Sequence, residues 1–401
     1  MKSGVGGFQS NRLTQARESL GLTKVALATL VNVSGATVTN WENGKQNPQG
    51  DKLQALSIAL GQPVHWFLRE LAAENSSPYF FRSLTAATKS GREATKIKLD
   101  WIAELSTILN QWLDWPTLRI PEVNKNFKAI SDEDIELSAI EFRNNFNLGN
   151  SPIKDLSLSV ENSGVIFSRC EIGFDKLDGL SSWNKITGRP YILLATDKDN
   201  AIRSRFDLAH ELGHIILHKN VKVDDINQTA HKEIERQANL FASCLLLPAD
   251  SFARDLENPT LETFLALKPR WKVSIAAMIY RAHQLDIISD LQKSNLYKNL
   301  SSKGWRIKEP YDDQVKPENP RLLPRAINML IDQGGFSKNI LLDKLGFSTF
   351  ICEELCGLPR GFFDDDTEED NLVTLRFQNK TTSNNKKNYK SETSNIVRFG
   401  R

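Results

Sequence analysis

The sequence predicts an α+β protein, with an all-helical head, a mixed α/β core and a helical C-terminal region. Three observations lead there. Residues 8–70 break into short helical segments with capping residues between them. Two apolar runs of strand length lie at 165–170 and 191–196. Two long amphipathic segments follow, and Pro248 ends the second. The 401 residues suffice for two to four domains. Lys and Arg number 51 against 49 Asp and Glu, a net charge of +2, which excludes a strongly basic nucleic-acid coat protein but permits one basic face. No apolar run reaches the roughly 18 residues of a membrane helix, and the N-terminus lacks the apolar stretch of a signal peptide. Cys170, Cys244, Cys352 and Cys356 are too sparse for a disulfide framework, so a cytoplasmic location is expected.

In chain order, Thr23 is placed to cap a helix over 24–31 and Ser34 to cap the next, which Gly44 ends. Residues 76–116 read as a linker and a spacer or interdomain packing helix, with Leu99, Ile102, Leu105, Leu109 and Leu113 on one side and Pro116 as its stop. Residues 117–258 read as the mixed core, whose long helices are expected over 203–218 and 232–246. Residues 259–300 form a helical domain, 301–362 a small helical region, and 363–401 a disordered charged tail.

The strongest chemical signal is His210-Glu211-Leu212-Gly213-His214. On a helix, positions i and i+4 lie about 40° apart, so both imidazoles face one point. Two neutral histidine nitrogens suit a borderline-soft cation such as Zn2+. Glu211 can act as general base on a water at the site and pass the proton to a leaving amine. A hydrolytic zinc site needs a third protein ligand. A histidine extension of the motif would need Gly at 217 and His at 220, where the chain has Leu217 and Asn220. The other option is Glu235 on the following helix, with Asn239 one turn on, placed to bond a ligand histidine and fix its tautomer. Ala238 and Ala242 would let the two helices approach closely. His218 extends the His210, His214 line, where it could compete as a ligand but reads as peripheral, and His231 could stabilise an oxyanion near the cleft but reads as a surface residue flanking the second helix.

These residues, with Phe241-Ala242 and Leu245-Leu246-Leu247-Pro248, resemble the ImmA/IrrE family of metallo-endopeptidases over roughly residues 130–290. The resemblance implies zinc held by His210, His214 and Glu235, and Glu211 as catalytic base. It also implies a gluzincin-like core, in which a small sheet packs on the two ligand helices and an edge strand lies over the cleft. Residues 165–170 or 191–196 are the expected edge, and an extended peptide would bind there by strand addition. Members typically cut a helix-turn-helix repressor, so the resemblance implies that substrate class.

Residues 8–68 resemble a Cro-type (XRE) helix-turn-helix domain through Leu13, Ala16, Leu22, Thr23, Ala28, Val33, Ser34, Val38, Trp41-Glu42-Asn43-Gly44, Leu53, Leu56 and Trp66-Phe67. Val38 and Trp41 face the core. Gly35, Ala36, Thr37, Thr39 and Asn40 are left to face a DNA groove. Asn40 can pair with adenine, and Thr37 or Thr39 can touch bases or phosphates. Arg12, Arg17, Lys24, Lys45 and Lys52 are candidates for phosphate contacts. The expected partners are therefore operator DNA and a protein substrate, with no membrane, and a homodimer to read two half-sites. The competing class is a helix-turn-helix regulator or antitoxin whose metal site is structural or sensory and not proteolytic.

Overall fold

The computed structural model describes residues 4–71, 75–81, 88–174, 177–197 and 200–364. The chain divides into two units, Met1–Phe363 and Asp364–Arg401. Beyond Asp364, the acidic run and the charged tail lie outside the described residues.

The head is built from α1 (Ser10–Ser19), α2 (Lys24–Leu30), α3 (Gly35–Glu42) and α4 (Gly50–Leu60). Thr23 and Ser34 cap α2 and α3 as their sequence positions demand: each side-chain oxygen accepts from a backbone N–H three residues on. Leu13, Leu27, Val38, Trp41, Leu53 and Leu56 close the small core between these helices.

Strand β1 (Tyr79–Phe81) and helix α5 (Lys89–Leu109) come next, followed by α6 (Asp132–Asn145) and α7 (Leu156–Asn162). The remaining strands are β2 (Ile166–Cys170), β3 (Gly179–Asn184) and β4 (Arg189–Ala195). They form one sheet in the order β1-β3-β4-β2, antiparallel except for the β4–β2 pair. The two-residue period of a strand makes this sheet a partition. Phe81, Leu180, Tyr191, Leu193 and Ile166 point into a core shared with α5 and the head. Phe80, Trp183, Ile192, Leu194 and Phe167 point into a second core on the opposite face.

That second core is closed by α8 (Ala201–Leu217), α9 (Gln228–Leu246), α10 (Ala249–Asp255), α11 (Leu261–Trp271), α12 (Ile275–Gln284) and α13 (Asp290–Ser302). The last helices, α14 (Leu322–Asp332), α15 (Lys338–Leu345) and α16 (Thr349–Cys356), return to the first core. Carboxylates at helix N-termini tie distant segments together, as the helix dipole favours. Glu318 accepts from the Leu156 and Ser157 N–H groups of α7 and pairs with Arg205. Glu161 accepts from Arg321 and Leu322 at the start of α14. Glu309 accepts from Ile275 and Ala276 of α12 and pairs with buried Lys268.

Two expectations need correction. The edge strand beside the His210–His214 helix is neither 165–170 nor 191–196. The latter lies inside the sheet, and β2 is the edge remote from β1 and β3. The edge on that side is β1, drawn from the stretch read as a linker. A three-residue strand is too short to show a period, and β3 carries Ser181-Ser182 where a strand is expected to be apolar. Of the two readings of helix α5, spacer or interdomain packing helix, the second holds, but its apolar surface is not confined to one side. Trp101, Ile102, Ala103, Leu105, Ser106, Ile108 and Leu109 are all buried, because the head, the sheet and the C-terminal helices cover it together.

The head docks through Arg12, which donates to both carboxylate oxygens of Glu104 on α5 at 2.6 and 2.7 Å and is itself fully buried. Trp66 packs edge-to-face on Trp101 at 5.6 Å, beneath the Arg12 guanidinium. Leaving one charge of a buried pair unpartnered typically costs about 3–5 kcal/mol. Because Glu104 is partly exposed, Glu104→Gln is expected to lower unfolding free energy by about 2 kcal/mol in a urea titration.

Candidate metal centre

Helices α8 and α9 cross at Gly213. A Cβ at this position would lie 3.1 Å from the Phe241 ring and 3.2 Å from the Ala238 backbone. Glycine facing alanine lets the two backbones approach closely, so their polar faces converge on one point. His210 and His214 come from α8, and Glu235 comes from α9. Their ligating atoms all lie within 4.8 Å of one another. Nε2 of His210 and Nε2 of His214 are 3.0 Å apart, and the Glu235 oxygens lie 3.5 and 3.3 Å from them.

Neighbours decide which ring nitrogen carries each proton. Asn239 Nδ2 donates to the Glu235 carbonyl at 2.8 Å, which turns its Oδ1 toward His210 Nδ1 at 3.1 Å. Since Oδ1 can only accept, Nδ1 holds the proton and Nε2 presents a lone pair. Burial keeps His214 neutral, with its pKa lowered to about 4. Glu235 Oε1 is buried without a hydrogen-bond partner. Two imidazoles and a carboxylate thus face one another, a donor set that suits a divalent cation such as zinc.

Glu211, fully buried, lies one residue beyond His210. Ser181 Oγ on β3 donates to its Oε2 at 2.5 Å. A Cβ on Gly179 would stand 3.1 Å from Glu211 Oε1 and 2.7 Å from Leu194, so β3 needs glycine there to admit the carboxylate. On β1, the Phe80 ring stacks on His214 with centroids 4.8 Å apart and planes 6° apart. Ser181, Gly179 and Phe80 were missed by sequence reasoning. Their only signals were a glycine and a serine pair in a strand too polar to be noticed, and the three aromatics Tyr79-Phe80-Phe81 after Pro78.

Open space lies on both sides of Glu235. A cleft of about 940 Å³ is bounded by Phe206, His231, Glu235, Asn239, Tyr280 and Trp305. A second, of about 460 Å³, runs between β1 and Val223, Ile226, His231 and Glu235. His231 therefore does not flank the helix from outside. It sits in the first turns of α9, four residues before Glu235, and lines both clefts. His218 stays outside the ligand group, but it is fully buried behind His214.

In the head, Thr37, Thr39 and Asn40 are half-buried on α3, and Lys45 is exposed just beyond it. The Thr37 hydroxyl shares a hydrogen bond with Ser34, and Thr39 Oγ1 donates to the Gly35 carbonyl. Most of the expected phosphate contacts are otherwise engaged. Arg12 is buried on Glu104, Arg17 and Lys24 pair with Glu42, and Lys52 donates to the Val31 and Asn32 carbonyls.

Fold and site define a metallopeptidase core joined to a helix-turn-helix head. Comparison with known families agrees: residues 160–283 match the M78 peptidase family model, described as an IrrE N-terminal-like domain, and residues 13–67 match the helix-turn-helix model. The chain is thus a fusion of an XRE-type helix-turn-helix domain with an IrrE/ImmA-like peptidase domain. No curated protein matches it. Among the described residues, no helix is long and apolar enough to cross a membrane.

Burial lowers the pKa of His214 to about 4 and of His218 to about 3, from an ordinary 6.5. The unfolded chain therefore takes up more protons than the native one as pH falls below about 6.5. Native stability is fully present above that pH and is lost progressively toward the folded-state values. Metal-free protein should show a lower Tm by scanning calorimetry at about pH 5 than at about pH 7, and an equal Tm would contradict neutral burial of these rings.

Proposed function

We infer that the chain is a cytoplasmic zinc endopeptidase that its head brings to DNA, where it cuts a protein partner of the helix-turn-helix repressor class and so controls transcription. One observation carries the metal reading. The Nε2 atoms of His210 and His214 and the Glu235 carboxylate face a common point beside a buried glutamate. His210, His214 and Glu235 would hold the ion, which supplies Lewis acidity toward the scissile carbonyl and lowers the pKa of water. Glu211 takes the proton from the attacking water and returns it to the leaving amine. Ser181 holds that carboxylate by its Oε2, which limits its rotation. Asn239 keeps the His210 ring in its binding tautomer. His231, lining both clefts beside Glu235, is placed to donate to the oxyanion that develops on the carbonyl.

Strand β1 supplies the docking edge. An extended peptide adding to it would run between Phe80 and the 223–226 turn toward Glu235. The resemblance to ImmA/IrrE proteins supports the repressor as substrate class. On the DNA side, Thr37, Thr39 and Asn40 would meet the major groove and Lys45 a phosphate, with a homodimer reading two half-sites.

Glu211→Gln should slow cleavage of a co-expressed candidate repressor by roughly 10²–10⁴-fold while leaving zinc content unchanged. Cleavage at the wild-type rate removes Glu211 as the base. Full regulatory activity in the variant assigns the site a sensory or structural role. In gel shifts on the gene's own upstream region, Asn40→Ala should cost about 1–3 kcal/mol, and an unchanged shift excludes Asn40 from base readout.

A further inference from the structure

A line of buried polar atoms runs behind His214, and its far end is unambiguous. The Phe127 carbonyl can only accept, so Gln237 Nε2 donates to it, at 2.8 Å, and also to Glu233 Oε1 at 3.1 Å. The other amide atom of Gln237, Oε1, therefore faces His218 Nε2 at 2.9 Å and must receive a proton from it. That leaves the lone pair of His218 on Nδ1, which lies 3.0 Å from His214 Nδ1. His214 Nδ1 must then be the donor, and the lone pair of His214 falls on Nε2, the atom that faces His210 and Glu235. His214, His218 and Gln237 are all fully buried, so water does not compete along this line.

We propose that His218 and Gln237 form a tautomer relay that presets His214 Nε2 as a metal-binding lone pair before any ion arrives. His218 is a positioning residue. It touches neither substrate nor the converging ligand atoms, and it acts only through the ring of His214. The proposal rests on the metal reading above, but it makes its own demand on the metal-free protein. A buried Nδ1–H without an acceptor is costly. A His214 that lost its partner would gain by moving its proton to Nε2 or by turning its ring, and either change removes a ligand. Asn239 does the same service for His210 in one step, whereas His214 is served through two side chains.

Two measurements test this. In metal-free wild-type protein labelled with ¹⁵N-histidine, long-range ¹H–¹⁵N spectra should show His214 in the Nδ1–H form and His218 in the Nε2–H form. A His214 in the Nε2–H form overturns the relay. Zinc affinity is then read by competition with a chromophoric chelator at neutral pH. His218→Phe keeps a ring beside Phe80 but removes the acceptor. It should weaken zinc binding by roughly 10–100-fold, while His218→Asn, whose Oδ1 branches where Nδ1 did, should stay within about threefold of wild type. Wild-type affinity in His218→Phe, or an equal loss in both variants, overturns the proposal. Wild-type protein that binds no zinc yet shows the two tautomers keeps the relay and removes the metal reading instead.

Discussion

The close crossing of α8 and α9 is the constraint on which the site depends. Gly213 against Ala238 removes the side chains that would hold the helices apart. Only at that separation can Glu235 stand within 3.5 Å of both imidazoles. The other faces of the same helices are apolar and buried against the sheet and α6, so the polar cluster is pinned between hydrophobic layers. Burial then does chemical work: it keeps His214 and His218 neutral and raises the cost of leaving any of their polar atoms unpaired.

The sheet organises the rest of the chain around this crossing. Its alternating side chains serve two cores, one holding the site helices and the other holding α5, the head and the last three helices. Ser181 and Phe80 are the points where the partition meets the chemistry. One holds the glutamate and the other stacks on a histidine. The same register that places Phe80 opposite Ser181 therefore aligns two supports of the site at once.

Much of this was legible in the sequence. The cap residues Thr23 and Ser34 mark helix starts through their own side-chain chemistry, which is local. The spacing of His210, His214 and Glu235 survives because a helix converts sequence distance into direction. What could not be read depends on residues far apart in sequence. Strand β1 is defined only by its partner β3, about a hundred residues later. Ser181 looks polar and exposed until Glu211 is brought to it. Arg12 and Arg17 read as phosphate contacts because charge in a helical head suggests DNA, yet both are buried on carboxylates. His218 stands outside the ligand group, where its place one turn beyond His214 led it to be read as peripheral. Its value lies in the side that faces away.

The origin of β1 has a practical bearing on modularity. The peptidase family model spans 160–283 and the helix-turn-helix model 13–67, yet the strand at the cleft edge and the helix beneath the sheet both come from the stretch between them. A cut made at the family boundaries would strip one wall from the cleft and bare the apolar underside of the sheet. The two named segments are therefore not interchangeable cassettes: the join belongs to the working parts, and any excised peptidase must carry it along.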